Sequence, residues 1–439
     1  MTAPFSNLIF AAFKRALFPP LLVAALALLA APPAGGRTLS LEEAEGMAVN
    51  ASLEVRLAGT EVRMSEGRRR EASSRYYPNI RARIIPNVRK GFELDFLERE
   101  SGFFADQILW DFGRTRNRVK ARRGLVKAAK MSKEDAERDA VRRARKAFFL
   151  VILEEARLSY AEKSHGLSGM RLERSRILER NGRISNLELA EQESEERSTL
   201  FEKRRAENAV EAARFELFQL IGLEGENNIT LESPEDLEFE ARPAGEIVAS
   251  ALKGNARLRG LTERLKSDEA NVRAARAEYL PVIYGRVAYR FEGEGADEES
   301  RSFIAGAGAT VPIFEGFSRP AKVERMRAAQ KNTEIKIALE RQHLERDIRR
   351  LLLEITHADA NIMLSRQVLG TAQEKLILAR EKEKLGAGSI LDLKFAEKEY
   401  AKFYLKYEES VYNRRVLLVD LMFLVGGLPP GETEKGGEN

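Results

Sequence analysis

The chain has 439 residues, of which 73 are Lys or Arg, 68 are Asp or Glu and none is Cys. The absence of cysteine excludes disulfide frameworks, thiolate metal sites and thiol nucleophiles, and three histidines (His165, His343 and His357) leave little for histidine-based catalysis. A formal net charge of +5 is too small to indicate nucleic-acid binding. Charged residues make up 32% and prolines number only 14, which favours long helices over a loop-rich fold.

Residues 1–36 have the pattern of a secretory signal peptide. Lysine and arginine are the only charged residues before an apolar stretch over 16–31, and small residues follow at 34–36. The uninterrupted apolar run at 21–31 has 11 residues, short of the ~20 that a spanning helix needs, so the alternative of a membrane anchor is disfavoured. We expect cleavage to start the mature chain near Arg37 and, because no cysteine follows, to leave it without a lipid.

The rest of the chain is a tandem duplication. Residues 385–392 (LGAGSILD) align with 181–188 (NGRISNLE) at an offset of 204, and upstream of Trp110 the offset is 203. A chance match would not keep its register over so many residues. We therefore predict a first repeat over 37–242, which ends in a linker at 223–242, a second repeat over 243–428, and a disordered tail at 429–439.

Each repeat is predicted to begin with a helix, at about 40–76 and 244–279, that ends where a proline follows. Two stretches with period-2 alternation come next, within about 79–110 and about 281–312. Each stretch has about 10 residues, the length of a membrane-crossing strand. Since nothing after residue 36 is long and apolar enough for a transmembrane helix, we expect the mature chain to enter a membrane only through these strands.

A long helical hairpin completes each repeat, at about 113–221 and about 317–425. Each outgoing helix has about 68 residues and would be ~100 Å long. Apolar residues spaced three and four apart predict a buried stripe, as at Leu344, Ile348, Leu351 and Ile355. Each return helix is about half as long as its partner, so we expect the first helix of the repeat to stack end to end on it.

Several segments carry a resemblance to a known family. They are the mature start at 39–44 (LSLEEA), the two helix ends before proline at 72–78 and 274–281, the segment 311–316 (VPIFEG), and the turn at 385–392. In this order on a duplicated, exported chain they resemble the TolC family of outer-membrane efflux channels. The resemblance covers about 38–430, which is almost the whole mature chain.

The resemblance implies a mainly α fold with a minor β part and an internal duplication. The long α-helical hairpins would form a trimeric periplasmic α-barrel, and four strands per protomer would enter a shared twelve-stranded transmembrane β-barrel. An open strand edge is forbidden in lipid, so four strands per chain require closure by oligomerisation on physical grounds as well. The implied setting is the outer membrane and periplasm of a Gram-negative bacterium, and the implied partners are two more copies of the chain, outer-membrane lipid, a periplasmic adaptor protein and an inner-membrane pump of the RND, ABC or MFS type.

The resemblance also places function at the turn of each hairpin, where the family docks its adaptor. The residues at these turns are Gly182, Arg183, Ser185, Gly386 and Ser389. Glycine supplies a left-handed helix end and serine caps the next helix, so ordinary capping explains the same residues and both interpretations stay open.

Acidic residues just beyond the turns are candidates for a periplasmic constriction. The family's constriction acid corresponds to Asp392, while Phe395 stands where a second acid would lie. Glu188 and Glu191 hold the equivalent positions in the first repeat. Three copies would place such acids in rings that bind cations. The alternative is that each acid only stabilises the positive end of its helix.

The sequence thus predicts a passive duct of a tripartite efflux or type I secretion system, opened at its periplasmic tip by adaptor and pump. No nucleotide-binding loop is present, and we expect no catalytic residues, no cofactor and no metal site. The alternative is an exported trimeric coiled-coil scaffold without a transmembrane pore, which the paired strand patterns argue against. The sequence does not name the cargo.

Overall fold

The computed structural model describes residues 37–83, 101–223, 229–234, 242–293, 299–387 and 389–427. The predicted signal peptide, the predicted tail, most of the linker and part of the first strand pair lie outside these ranges. The predicted domain boundaries therefore remain predictions.

The described residues of the first repeat form four α-helices and four strands. In chain order they are β1 (Arg37–Leu39), α1 (Leu41–Ala51), α2 (Leu53–Ser73), β2 (Asn79–Arg83), β3 (Ser101–Trp110), α3 (Arg114–Arg180), α4 (Asn186–Ile221) and β4 (Ile229–Leu231). The 67-residue α3 and the 36-residue α4 form the predicted hairpin. β1 and β4 pair in parallel as a small two-stranded sheet that the sequence analysis did not predict.

The described residues of the second repeat reproduce the order from α1 to α4, with two strands between the second and third helices. Its elements are α5 (Ala244–Gly254), α6 (Ala256–Arg276), β5 (Val282–Gly293), β6 (Glu299–Thr310), α7 (Ser318–Lys384) and α8 (Ile390–Val425). The bounds of α5 and α6 are those of α1 and α2 shifted by 203 residues, and those of α7 and α8 are those of α3 and α4 shifted by 204. The two offsets read from the sequence are thus kept by the helices to the residue, which confirms the duplication.

The single first helix predicted for each repeat is wrong, because it is interrupted near its start. Ser52 and Asn255 have extended backbone conformations, and their side-chain oxygens accept the amide hydrogens of Val55 (3.3 Å) and Leu258 (3.0 Å). Serine and asparagine are strong N-caps, so each ends one helix and starts the next.

The helices form two rows that share α3 and α7. On the side of the strands the row is α2, α3, α6, α7; on the side of the hairpin turns it is α4, α3, α8, α7. The predicted end-to-end stacking is present, since the end of α4 at Gly222 abuts Ala51 and the end of α8 at Gly426 abuts Gly254. The buried core lies at these joints and includes Leu39, Phe148, Phe149, Leu217, Ile348, Leu418 and Leu421.

The predicted stripe on α7 is confirmed. Leu344, Ile348, Leu351 and Ile355 are all buried, mostly against α5 and α8. The alanines at the equivalent positions of α3 are buried too, and Gly124 lets α6 approach so closely that an added Cβ would lie 3.0 Å from the Glu263 carbonyl oxygen. Within the described residues, no helix combines the length and the apolar character needed to cross a membrane.

The remaining strands form one antiparallel sheet in the order β2-β3-β5-β6. Its register places Arg81, Asp106 and Arg286 on one face, where Asp106 accepts hydrogen bonds from both arginines. The opposite face, which we call the apolar face, carries mostly small and apolar side chains, among them Ile80, Phe103, Val287, Phe303 and Ala305. We call the face with Asp106 the polar face. The sheet therefore presents two chemically different surfaces.

Candidate functional site at the hairpin turns

The two long helices end alike at the hairpin turns. Gly182 and Gly386 adopt left-handed backbone conformations with φ of +65° and +69°. The amide of Arg183 donates to the Leu178 carbonyl at 2.8 Å, and the amide of Ala387 donates to the Lys382 carbonyl at 2.9 Å. These bonds close the end of each long helix over its glycine, which is the capping role expected of that residue.

Serine begins both return helices, but the two starts differ. The Ser185 hydroxyl accepts the amide hydrogen of Glu188 (3.2 Å), and the Glu188 carboxylate accepts the amide hydrogen of Ser185 (2.8 Å). This reciprocal pair is a capping box. Ser389 instead caps the amide of Leu391 at 3.1 Å, and no reciprocal bond is present there among the described residues. The Ser-x-x-Glu spacing of 185–188 was a signal that the sequence analysis missed.

The side chains of the candidate constriction acids therefore differ in whether hydrogen bonds hold them in place. Glu188 is engaged at the turn, whereas Glu191 and Asp392 are exposed and make no hydrogen bond or ion pair within the described part of the protomer. Phe395, in the position of a second acid, is 64% exposed. The aspartate is one methylene shorter than glutamate at the same position of the first helical turn, and its carboxylate makes no bond to Ser389. A shared constriction role for the three acids stays a prediction.

Apolar side chains surround the turns. Leu187, Leu385 and Leu391 are among the exposed large hydrophobic residues, and Leu385 is 82% exposed. Arg183, Ser185, Gly386 and Ser389 are exposed as well. The turns therefore offer an accessible surface of mixed chemistry, and adaptor docking there stays a prediction.

Ion pairs along the half of α3 that leads to its turn join the two hairpins of the chain, and the sequence analysis did not predict them. Arg157 on α3 contacts Glu409 on α8 at 2.6 Å, Arg171 on α3 pairs with Glu397 on α8, and Arg174 on α3 contacts Glu383 on α7 at 2.8 Å. Cations on α3 thus face acids of the second repeat along the approach to the turns. Each side chain retains some solvent access, so a single pair contributes only about 0–1 kcal/mol, and the series matters more than any member.

No metal or catalytic constellation emerges from the part of the chain that the structure describes. Within it, no group of three or more His, Asp or Glu side chains is placed to hold a metal ion. His165 contacts the Thr199 hydroxyl at 3.4 Å, and the Ser185 hydroxyl that meets Glu188 serves the capping box.

Comparisons with known proteins match part of the sequence to a family and the whole fold to solved structures. Residues 247–427 match the family described as outer membrane efflux protein. No curated protein matches the sequence. The solved structures that resemble the chain include the Campylobacter jejuni CmeC outer membrane channel, with a TM-score of 0.76 and 16% identity over 88% of this chain and 85% of that one.

Two further structures are similarly close. A membrane protein from Pseudomonas aeruginosa gives a TM-score of 0.75 at 18% identity, covering 88% of this chain and 93% of that one. The open-state Neisseria gonorrhoeae MtrE outer membrane channel gives 0.72 at 20% identity, covering 89% and 90%. The family match spans most of the second repeat, and the shared fold extends over both repeats. Residues 247–427 thus match the outer membrane efflux protein family, and the fold of both repeats resembles that of solved outer membrane channels, in agreement with the resemblance of the sequence to the TolC family.

Proposed function

We propose that the chain is the outer-membrane channel of a tripartite efflux or type I secretion system. Three copies would form a passive duct across the periplasm and the outer membrane of a Gram-negative bacterium, without catalytic activity of their own. A periplasmic adaptor and an inner-membrane pump of the RND, ABC or MFS type would open it at the hairpin turns.

The four-stranded sheet is the observation that carries this proposal. Its apolar face is exposed in the protomer, as at Ile80 and Phe303, while charged side chains occupy the polar face. Strands that alternate in this way place their apolar side chains against lipid and their polar ones toward a lumen. Both edge strands, β2 and β6, have unpaired outer edges within the described residues. Pairing with neighbouring copies would satisfy these edges, and four strands from each of three copies give a closed twelve-stranded barrel.

The helix rows support closure by the same three copies. The row on the side of the turns ends in α4 and α7, and within the described residues each of these helices has a long neighbour in that row on one side only. Large apolar residues are exposed on these helices, including Phe201 and Phe215 on α4 and Leu353 and Met363 on α7. Contact between α4 of one copy and α7 of the next would bury them.

The segment between strands and helices supports a membrane boundary at that level. Trp110 and Phe112 meet edge to face at 6.1 Å between ring centres, and Phe314 and Phe317 do so at 5.5 Å in the second repeat. Trp110, Phe314 and Phe317 are largely exposed in the protomer. Aromatic rings at the two ends of a lipid-facing band are typical of membrane barrels.

At the opposite end, we infer that the exposed turns dock the adaptor. We also infer that Asp392 and Glu191 line the closed constriction, whereas the capping box keeps the Glu188 carboxylate at the turn. Opening would separate the hairpins and break the pairs Arg171–Glu397 and Arg174–Glu383. A set of individually weak pairs suits this task, because adaptor binding can offset their loss.

Single-channel recording of the purified protein in a planar bilayer tests the proposal. We expect stable conductance steps from trimers whose gel migration changes on heating, and we expect millimolar multivalent cations to block them. Folded trimers that never insert would refute the channel and revive the periplasmic scaffold. The exposed apolar face of the sheet favours the channel over a scaffold without a pore, because a scaffold outside the membrane has no use for a lipid-facing surface.

A further inference from the structure

A cavity of about 380 Å³ lies where the strands meet the helices, and none of the functions proposed above uses it. It is lined by the last turns of α2 and α6, the 3₁₀ turns that follow them, and the first turns of α3 and α7. Its lining includes five cations, Arg68, Arg75, Arg118, Arg122 and Lys322. The acids in the lining are Glu71 and Glu278.

Only part of this positive charge is neutralised. Glu278 accepts hydrogen bonds from Arg118 (2.6 Å) and Lys322 (2.8 Å). Although burial acts to raise the pKa of Glu278, these two bonds outweigh it, so the pKa lies below its usual value and the carboxylate stays ionised. Arg75 and Arg122 are exposed and make no ion pair or hydrogen bond with the part of the protomer that the structure describes. The cavity therefore keeps uncompensated cations.

The cavity lies on the concave side of a row of helices. The row on the strand side runs α2, α3, α6, α7, and the extensive helix contacts among its described residues join neighbouring members. Yet α2 and α7, at the two ends of the row, both contribute side chains to the same cavity. The row must therefore curve around it. When three such rows close into a cylinder, the concave side faces the lumen.

The polar face of the sheet carries an excess of positive charge, as the cavity does. Its described side chains include four arginines, Arg81, Arg83, Arg286 and Arg290, with Asp106 as their acidic counterpart. Arg286 and Arg81 share that carboxylate, and Arg83 lies over the Phe104 ring at 5.4 Å on the same face. In a barrel this face borders the pore. Two separate structural elements thus supply excess positive charge to adjoining parts of one lumen.

We propose that the membrane end of the channel selects anions, and that its cargo carries phosphate, sulfate or carboxylate groups. The inference rests on the proposed function as a duct. Rings of arginine and lysine are the means by which anion and phosphate pores select, and a narrow, low-dielectric lumen concentrates their field. The basic cavity would be repeated three times around the axis, just below the arginines of the sheet.

The reversal potential in a KCl gradient across a planar bilayer tests the proposal. The turn acids would lie on the same conduction path as the basic region and would favour cations. Every channel in the test therefore carries Asp392→Ala, which removes one of these acids. The test variant adds Arg75→Gln and Arg122→Gln. The matched control adds Arg70→Gln and Arg116→Gln, which remove the same charge from α2 and α3 outside the cavity lining. A third variant adds Asp106→Asn, which removes an acid from the polar face.

We expect the Asp392→Ala channel to prefer chloride. The test variant should lower its anion-to-cation permeability ratio by about two-fold, the matched control should leave it unchanged, and Asp106→Asn should raise it. The differences should shrink in concentrated salt, where screening shortens the reach of each charge. Channels that prefer potassium, or two arginine pairs with equal effects, would overturn the anion proposal and leave the duct intact. Folded trimers without any conductance would overturn the duct and the anion proposal together.

Discussion

Three glycines with nearly the same backbone conformation end helices in different surroundings, and they make a graded test of the end-to-end joints. The φ angles of Gly386, Gly222 and Gly426 are +69°, +72° and +79°. A Cβ on Gly386 would meet nothing within 4 Å, one on Gly222 would lie 2.9 Å from the Ala51 Cβ, and one on Gly426 would lie 2.6 Å from the Gly254 carbonyl oxygen. We predict that alanine destabilises the protein in that order.

The magnitudes follow from the surroundings. A left-handed conformation costs any L-residue about 1–2 kcal/mol, and this is the whole expected cost at Gly386. At Gly222 the overlap with a methyl group adds an overpacking term of about 1–3 kcal/mol. At Gly426 the obstacle is the backbone of α5, so α8 must move away from a core that includes Leu418. We expect a loss beyond about 4 kcal/mol there, the range reserved for a broken core.

We would rank the variants by the melting temperature of the purified protein, measured from the loss of its helical circular dichroism signal. Gly370→Ala is the control, because this glycine lies inside α7 with open space around it, and alanine there should be neutral or slightly stabilising. Adding Ala51→Gly to Gly222→Ala should recover part of the loss, since it removes the opposing methyl group. If Gly426→Ala melts no lower than Gly386→Ala, the end-to-end joint is not the close contact described.

Three further predictions concern the turns and the joint region. Asp392→Ala should weaken block of the channel by multivalent cations while Glu188→Ala leaves block unchanged, because the Glu188 carboxylate is held in a capping box; equal effects in bilayer titrations would contradict this. Replacing Glu383 and Glu397 together by glutamine should raise the frequency or size of open events, since both close pairs to α3 lose their charge, and unaltered recordings would show that these pairs do not hold the turns closed. Glu54 has its pKa lowered to about 2, first by a hydrogen bond from an arginine of α3, so its contribution to stability is complete above its ordinary pKa of 4.5 and is lost as the pH falls toward 2. The difference in melting temperature between wild type and Glu54→Gln should therefore shrink over that range, and a constant difference would contradict the assignment.

The sequence predicted those features that depend on local pattern. Gly182 and Gly386 predict turns because glycine readily adopts the left-handed conformation that ends a helix. Leu344 and Ile348 predict a buried stripe because their spacing places them on one face of a helix. The duplication extended each assignment to the other repeat. The interruption at Ser52 was missed although serine is a strong cap, because the apolar pattern continues across it. The spacing of Ser185 and Glu188 was also missed, although Ser-x-x-Glu is a known sequence signal of a capping box.

Other features arise only when distant segments meet. Arg171 and Glu397 are 226 residues apart, and nothing near either one indicates its partner. The basic cavity gathers side chains from both repeats, each of which looks like an ordinary charged residue on a helix surface. The arginines of the sheet were visible as alternating residues in β5, but their shared face with Arg81 depends on the pairing of strands from different repeats. Charge that is dispersed in sequence becomes concentrated only through topology.

The architecture also determines where the protomer can bend. Each helix row has two continuous members, α3 and α7, and two positions where one helix stops and another begins, at the Ala51–Gly222 and Gly254–Gly426 joints. The interrupted members can shift without breaking a helical hydrogen bond, whereas the 67-residue members must curve. The largest buried side chains lie at those joints and resist separation there. Movement of the turns is therefore spread along α3 and α7, so the hairpins can open while the joints and the sheet beyond them keep their packing.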